Sequence, residues 1–137
     1  MTLAMSFGLQ KAVYAELAAD TDLAALLPAG IHDAAPPGAP AGPFALIGEE
    51  VVREHGSTTH EGAQHDFTVS VVGPGDGFAA VKAASARVTQ VLTGSQLVLE
   101  RGLVTNLRFV WARAERGEAP DLRRIALRFR ATTEDTI

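Results

Sequence analysis

The last third of the chain alternates apolar and polar residues over two long neighbouring runs, and that pattern leaves few folds open. Odd positions read Leu103, Thr105, Leu107, Phe109 and Trp111, and after a turn Ile125, Leu127, Phe129 and Ala131 continue the alternation. A period of two over this length means strands with one face toward a core and one face free. The free faces hold Asn106, Arg108 and Val110 on the first strand, and Arg124, Ala126, Arg128 and Arg130 on the second. A sheet that buries Phe and Trp on one side and shows arginines on the other is suited to meeting a surface rather than enclosing a small ligand.

Upstream, the period changes. Ser6 to Ala19 places Leu9, Ala12, Val13 and Leu17 on one helical face. Asp20–Thr21–Asp22 interrupts that helix and caps a second short turn through Leu23, Leu26 and Leu27. Ile31–His32 reads as a brief edge strand. Phe44 to Arg53 reads as a strand with Phe44, Leu46 and one of Val51 or Val52 inward and a bulge at Gly48. Glu54 to Gln64 is polar and reads as a loop. Phe67, Val69 and Val71 then alternate with Thr68, Ser70 and Val72. A second helix follows over Phe78 to Leu92, with Asp76 as its cap and Gly94 as its stop, and Gln96 to Glu100 reads as a short strand turning at Arg101–Gly102. The tail after Thr132 is polar and expected to fray. The order predicts an α+β fold, a single domain over 1–137, in which two main helices pack on one face of a mostly antiparallel sheet of four to five strands.

Charge is divided unevenly. The net charge is −4, which argues against a general nucleic-acid binder. Residues 1–100 hold four basic and eleven acidic side chains, whereas residues 101–137 hold eight basic and five acidic. Different surfaces are thus set to face different neighbours. The chain has no cysteine, which excludes disulfides, thiolate metal sites and thiol nucleophiles. It holds no apolar run of about 20 residues that would cross a membrane, and its start lacks a secretion signal's basic-then-apolar order. The expectation is therefore assembly in the cytoplasm.

Chemistry finds little footing. His55, His60 and His65 stand five apart beside Glu54, Glu61 and Asp66, which is a metal-ligand inventory. That spacing suits neither a helix face nor a strand face, so the expectation is a solvated loop without metal or cofactor. Gly73–Pro74–Gly75–Asp76–Gly77 precedes a helix but lacks the Lys–Ser/Thr ending of a phosphate loop. No serine sits in a nucleophile elbow, and Glu49 and Glu50 alternate across a strand, so no catalytic residue is assigned.

The segments Leu9–Gln10–Lys11–Ala12–Val13–Tyr14–Ala15–Glu16–Leu17, Ile31–His32–Asp33, Gln96–Leu97–Val98–Leu99, Leu103 to Phe109 and Leu127–Arg128–Phe129–Arg130–Ala131 come in an order that resembles the tail-terminator or tail-completion proteins of long-tailed phages and gene transfer agents, of the lambda type. The resemblance covers nearly the whole chain and rests on packing residues. It implies a virion protein that forms a ring, expected to be a hexamer. Such a ring caps the finished tail tube, meets the major tail tube protein and the head connector, and lets DNA pass with transient, non-specific contact. Arg53, Glu54, His55, His60, Arg108, Arg128 and Arg130 are the expected contact residues with other subunits or partners. Two alternatives are another neck or baseplate component of the same particle and a small metal-dependent enzyme using the loop histidines.

Three physical expectations accompany this reading. With no apolar strand left over after the core is assigned, subunit contacts should be polar and the isolated chain monomeric or weakly associated. Arg53 to Gln64 should be mobile when free, since few apolar side chains anchor it. Arg108, Arg128 and Arg130 on one side of paired strands should repel and so call for an acidic neighbour or phosphates.

Overall fold

The computed structural model describes residues 3–36, 42–57, 61–75, 78–117, 119 and 121–135. Its elements are α1 (Ala4–Ala18), α2 (Thr21–Leu26), β1 (Ile31–His32), β2 (Phe44–Glu54), β3 (Gly62–Pro74), α3 (Ala79–Thr93), β4 (Leu103–Arg116) and β5 (Leu122–Glu134). The strands form one sheet in the order β1-β2-β3-β5-β4. β1 runs parallel to β2 and every other pairing is antiparallel. This is the α+β arrangement the alternation and helical spacing imply.

The core lies between the sheet and the helices. Ala45, Ile47, Phe67, Val69, Val71, Ile125, Leu127, Phe129 and Ala131 meet Leu9, Val13 and Leu17 of α1, Leu23 of α2, and Val81, Ala84, Val88 and Leu92 of α3. At its centre Phe129 is fully buried, stacked on Phe67 with centroids 5.5 Å apart and met edge-on by Phe109 at 5.8 Å. Such pairs add to the burial of the rings themselves. α1 packs on β1 and β2, and α3 on β3, β5 and β4.

Asp20 joins the helices. One carboxylate oxygen caps α2 by accepting from the Leu23 amide at 2.9 Å, and both oxygens receive Arg87 of α3, at 2.8 Å from Nε and 2.6 Å from Nη2. The Arg87 hydrogen bonds, with help from the cap and against partial burial, pull the Asp20 carboxyl down to about 2. Gly94 ends α3 as its spacing implies. The side chain of Phe78, at the helix start, makes no capping bond, and Asp76 lies outside the described residues.

Several expectations are corrected. In β2 the register shifts between Gly48 and Glu50, so the extra residue is Glu49, at φ 42°. Phe44 is buried as expected, edge-on to His32, but it is Ala45 and Ile47, not Phe44 and Leu46, that enter the core cluster. Val52 is half-buried while Val51 is exposed. The polar stretch over 54–64 is ladder at its two ends and a connection between them: Arg53 pairs with Gln64 and Glu54 with Ala63, the His55 amide donates to the Gly62 carbonyl at 3.0 Å, and 55–57 and 61 lie outside the strands as the loop reading has it. Gly62 is needed there because a Cβ would lie 2.8 Å from the Thr133 carbonyl oxygen. The proposed mobility of Arg53 to Gln64 therefore loses its basis at both ends, and residues 58–60 lie outside the described residues.

Gln96 to Glu100 forms no ladder. Leu97 is buried and Val98 is 83% exposed, so the alternation there marks an extended connector crossing the core without a strand beside it. Nor does the tail fray over Thr133 to Asp135, while 136–137 lie outside the described residues. Thr133 is fully buried, the Asp135 amide donates to the Glu61 carbonyl at 2.8 Å, and Arg101 grips the Asp135 carboxylate with two bonds of 2.8 and 2.6 Å.

The largest departure is β4. Register shifts between Val104 and Asn106 and between Phe109 and Trp111 insert two extra residues, and each reverses the faces. Val104 is buried in place of Leu103, and Trp111 lands opposite Arg128 on the arginine side. As an edge strand, β4 leaves Leu103, Phe109, Val110 and Trp111 exposed. An exposed apolar strand is thus left over after all, which removes the premise for purely polar subunit contacts.

Two outcomes follow. Phe129→Ala should lower unfolding stability by about 3–5 kcal/mol in denaturant titration. Asp20→Asn should destabilise at neutral pH by an amount that shrinks as pH falls. The folded carboxyl titrates near 2 and the unfolded one near 3.9, so its contribution is complete above the unfolded value and lost through the folded one. Thermal unfolding of both proteins from pH 7 to pH 2 checks this convergence.

Candidate interaction surface

The face of the sheet away from the helices is built by the β3–β5 register. Asp66 lies opposite Arg130, Thr68 opposite Arg128 and Ser70 opposite Ala126. Each arginine reaches a polar partner on β3. Arg130 donates from Nε to Asp66 Oδ1 at 2.7 Å and from Nη2 to Oδ2 at 3.3 Å. Arg128 donates to Thr68 Oγ1 at 2.9 Å, and Arg124 to Ser70 Oγ at 3.0 Å. From β2, Arg53 adds a bond to Asp66 Oδ2 at 3.3 Å. Hydrogen bonds from Arg130 hold the Asp66 carboxyl below the usual range against its partial burial, and the charges of Arg130, Arg128 and Arg53 act in the same direction.

The arginines were expected to repel one another without relief inside the chain. Asp66 supplies that relief for Arg130 and Arg53, and hydroxyls receive Arg128 and Arg124. Arg108 is different. It stands directly opposite Arg130, is exposed, and has no ion pair among the described residues. Arg113 lies over the Trp111 ring at 5.2 Å from its centroid. The face therefore remains net positive, with Arg108 and Arg113 as its outward charges.

The other expected contact residues divide. Arg53, Glu54 and His55 are exposed at the end of the β2–β3 hairpin, while His60 lies outside the described residues. His65, counted with the loop histidines, is not in a loop at all: it is a β3 residue and fully buried. Its Nδ1 meets Glu50 Oε2 at 2.9 Å and its Nε2 meets Thr133 Oγ1 at 3.0 Å. Ser6 of α1 donates to the second oxygen of Glu50. Burial pushes the Glu50 carboxyl up, but hydrogen bonds from His65 and Ser6 outweigh it and leave it below its ordinary value. Glu49 at the bulge lets Glu50 face inward, which is the signal that strict alternation along β2 concealed.

A carboxylate, an imidazole and a hydroxyl in a row is the order of a nucleophile triad. Here both His65 and Thr133 have no exposed surface, and Thr133 Oγ1 also lies 3.5 Å from the Ala63 carbonyl oxygen. A substrate has no approach, so the row pins α1 to the sheet rather than performing chemistry. Among the described residues no three His, Asp or Glu side chains are grouped to hold a metal ion.

Arg128→Glu, taken from sequence as a surface change, should instead lower Tm by several degrees, because it loses the Thr68 bond and sets a second carboxylate beside Asp66. Arg108→Glu should leave Tm unchanged or raise it, since the new carboxylate faces Arg130. Thermal unfolding of the two variants beside the parent chain separates them.

Residues 11–134 match the family model described as tail completion protein gp17. No curated protein matches the chain. Among solved structures, a chain of the virion of a native gene transfer agent (GTA) particle superimposes with a TM-score of 0.90 at 46% identity, over 97% of this chain and 99% of that one. The structural match extends over nearly all of this chain, whose described residues hold a positive open face and a buried polar row. The chain belongs to the tail completion protein gp17 family and is a structural protein of the virion tail.

Proposed function

We propose that the chain, as one domain over 1–137, ends tail-tube growth by closing on the tube tip as a ring, expected to be a hexamer. The same ring then offers the joint to the head connector and leaves a channel through which DNA passes. The observation that carries this reading is the match along nearly the full length to both the tail completion family and a gene transfer agent virion chain of the same extent. A completion protein acts once the tube is built, and a small subunit with different surfaces at its two sheet edges suits that position.

The chain acts without catalysis or cofactor in this reading. Its carboxylate–imidazole–hydroxyl row is sealed, and its open face is made of arginines held in register. Arg108 is the group free to meet DNA phosphates or an acidic neighbour, while Arg53, Glu54 and His55 at the hairpin end meet an adjoining protein. Arg128 and Arg130 support this surface from beneath, since their guanidinium groups already bind Thr68 and Asp66.

Particles made without this protein should carry tails of irregular and excessive length in electron micrographs. Tails of normal length that fail to join heads would instead favour a different neck component, and normal tails lacking a distal structure would favour the baseplate.

A further inference from the structure

Two apolar surfaces on this subunit are uncovered, and they lie over opposite edges of the sheet. The first is on α1. Met5, Leu9, Ala12, Val13 and Leu17 bury its inner face, yet Leu3, Phe7 and Tyr14 form a second stripe that is 58%, 67% and 49% exposed, interrupted by Lys11, whose ammonium lies 5.0 Å from the Phe7 ring centroid and pairs with Glu100. A helix apolar on both sides is one whose outer side also becomes buried. The second is the helix-facing side of β4. α3 touches this strand without covering it, leaving a groove of about 330 Å³ whose β4 wall is the exposed Phe109, Ala112 and Ala114. At its α3 wall Ser85 is 5% exposed, and its hydroxyl has no hydrogen-bond partner. A buried hydroxyl left unpaired is unfavourable, so the groove suits an occupant that is apolar and brings one polar atom.

We infer that α1 of one copy of this chain packs into the β4–α3 groove of the next copy, so that identical subunits join head to tail. The dimensions agree. Leu3 to Tyr14 spans about 16 Å along a helix axis, and Phe109 to Ala114, four ladder positions once the bulge at Val110 is discounted, about 14 Å along the strand. The stripe carries one hydroxyl, on Tyr14, which is the kind of group that Ser85 lacks. Ala112 and Ala114 keep that stretch of β4 low enough for a helix to approach. The charges agree in balance: the β4 edge exposes Arg108, Arg113 and Arg116, and the α1–β1–β2 edge exposes Asp33, Glu49, Glu50 and Glu54 against Lys11 and Arg53. A contact between two different patches cannot close as a symmetric pair, and repeats either into a ring or into a filament. The inference deepens the ring reading and rests on it for closure alone; the contact itself stands without a ring.

The chain has no cysteine of its own, so introduced pairs report cleanly. Phe7→Cys and Ala112→Cys are combined in one chain, incorporated into particles, oxidised mildly and run on a non-reducing gel probed for this protein. The expected result is a ladder of covalent multimers from the double variant and monomer alone from each single variant. Tyr14→Cys with Ala114→Cys is a second pair that guards against a local distortion. Absence of multimers from both pairs in particles that contain the protein overturns the inference, as does a disulfide dimer from either single variant. A ladder ending at a fixed closed species agrees with the ring, whereas an open-ended ladder keeps the contact and overturns the ring.

Discussion

The ladder between β3 and β5 is the constraint on which the rest of the structure depends. One register sets Phe129 against Phe67 inside and Arg130 against Asp66 outside, and in the same step places Arg128 at Thr68. A slip of one residue would turn the core aromatics to solvent and the arginines inward. Neither strand contains a register shift along this pairing, so the two faces confirm each other over the full length. β2 and β4 are then free to bend, and both do so through bulges.

That difference decides how much could be read from the sequence. β5 was legible to the residue: Ile125, Leu127, Phe129 and Ala131 enter the core and Arg124, Arg128 and Arg130 stay out. α1, α3, the Asp20 cap and the Gly94 stop were equally plain, because helical spacing and capping chemistry are local. β4 misled because alternation assumes an unbroken phase, and extra residues at Thr105 and Val110 break it twice. The hairpin end was hidden by composition, since Gln64, His65 and Asp66 look like loop residues until their partners are known. His65 is tolerated in the core only because Glu50 and Thr133 bind both ring nitrogens, and those residues lie 15 and 68 positions away. Asp66 was missed as the arginine partner for the same reason. Pairing across the sheet is not a local signal.

A sheet with helices on one face must still manage the other. Here a row of arginines lies down over Ser70, Thr68 and Asp66, shielding their polar atoms with aliphatic stems while the charged heads remain near water. Ser70, Thr68 and Asp66 are consequently buried although no helix covers them. The positive character of the last third thus has a structural origin first. Its outward remainder on β4, Arg108, Arg113 and Arg116, is what is left for neighbours.

β4 holds fourteen residues against twelve facing positions on β5. The surplus is taken up entirely at the outer edge, where a bulge disturbs one ladder instead of two. Length change along the chain therefore has an uneven penalty: a residue gained or lost in β3 or β5 shifts the pairing on both sides, while in β4 it converts one bulge into regular pairing or adds another. Drift in the length of such chains is expected to collect in β4, allowing the rim of the subunit to be reshaped for a new neighbour without re-registering its core.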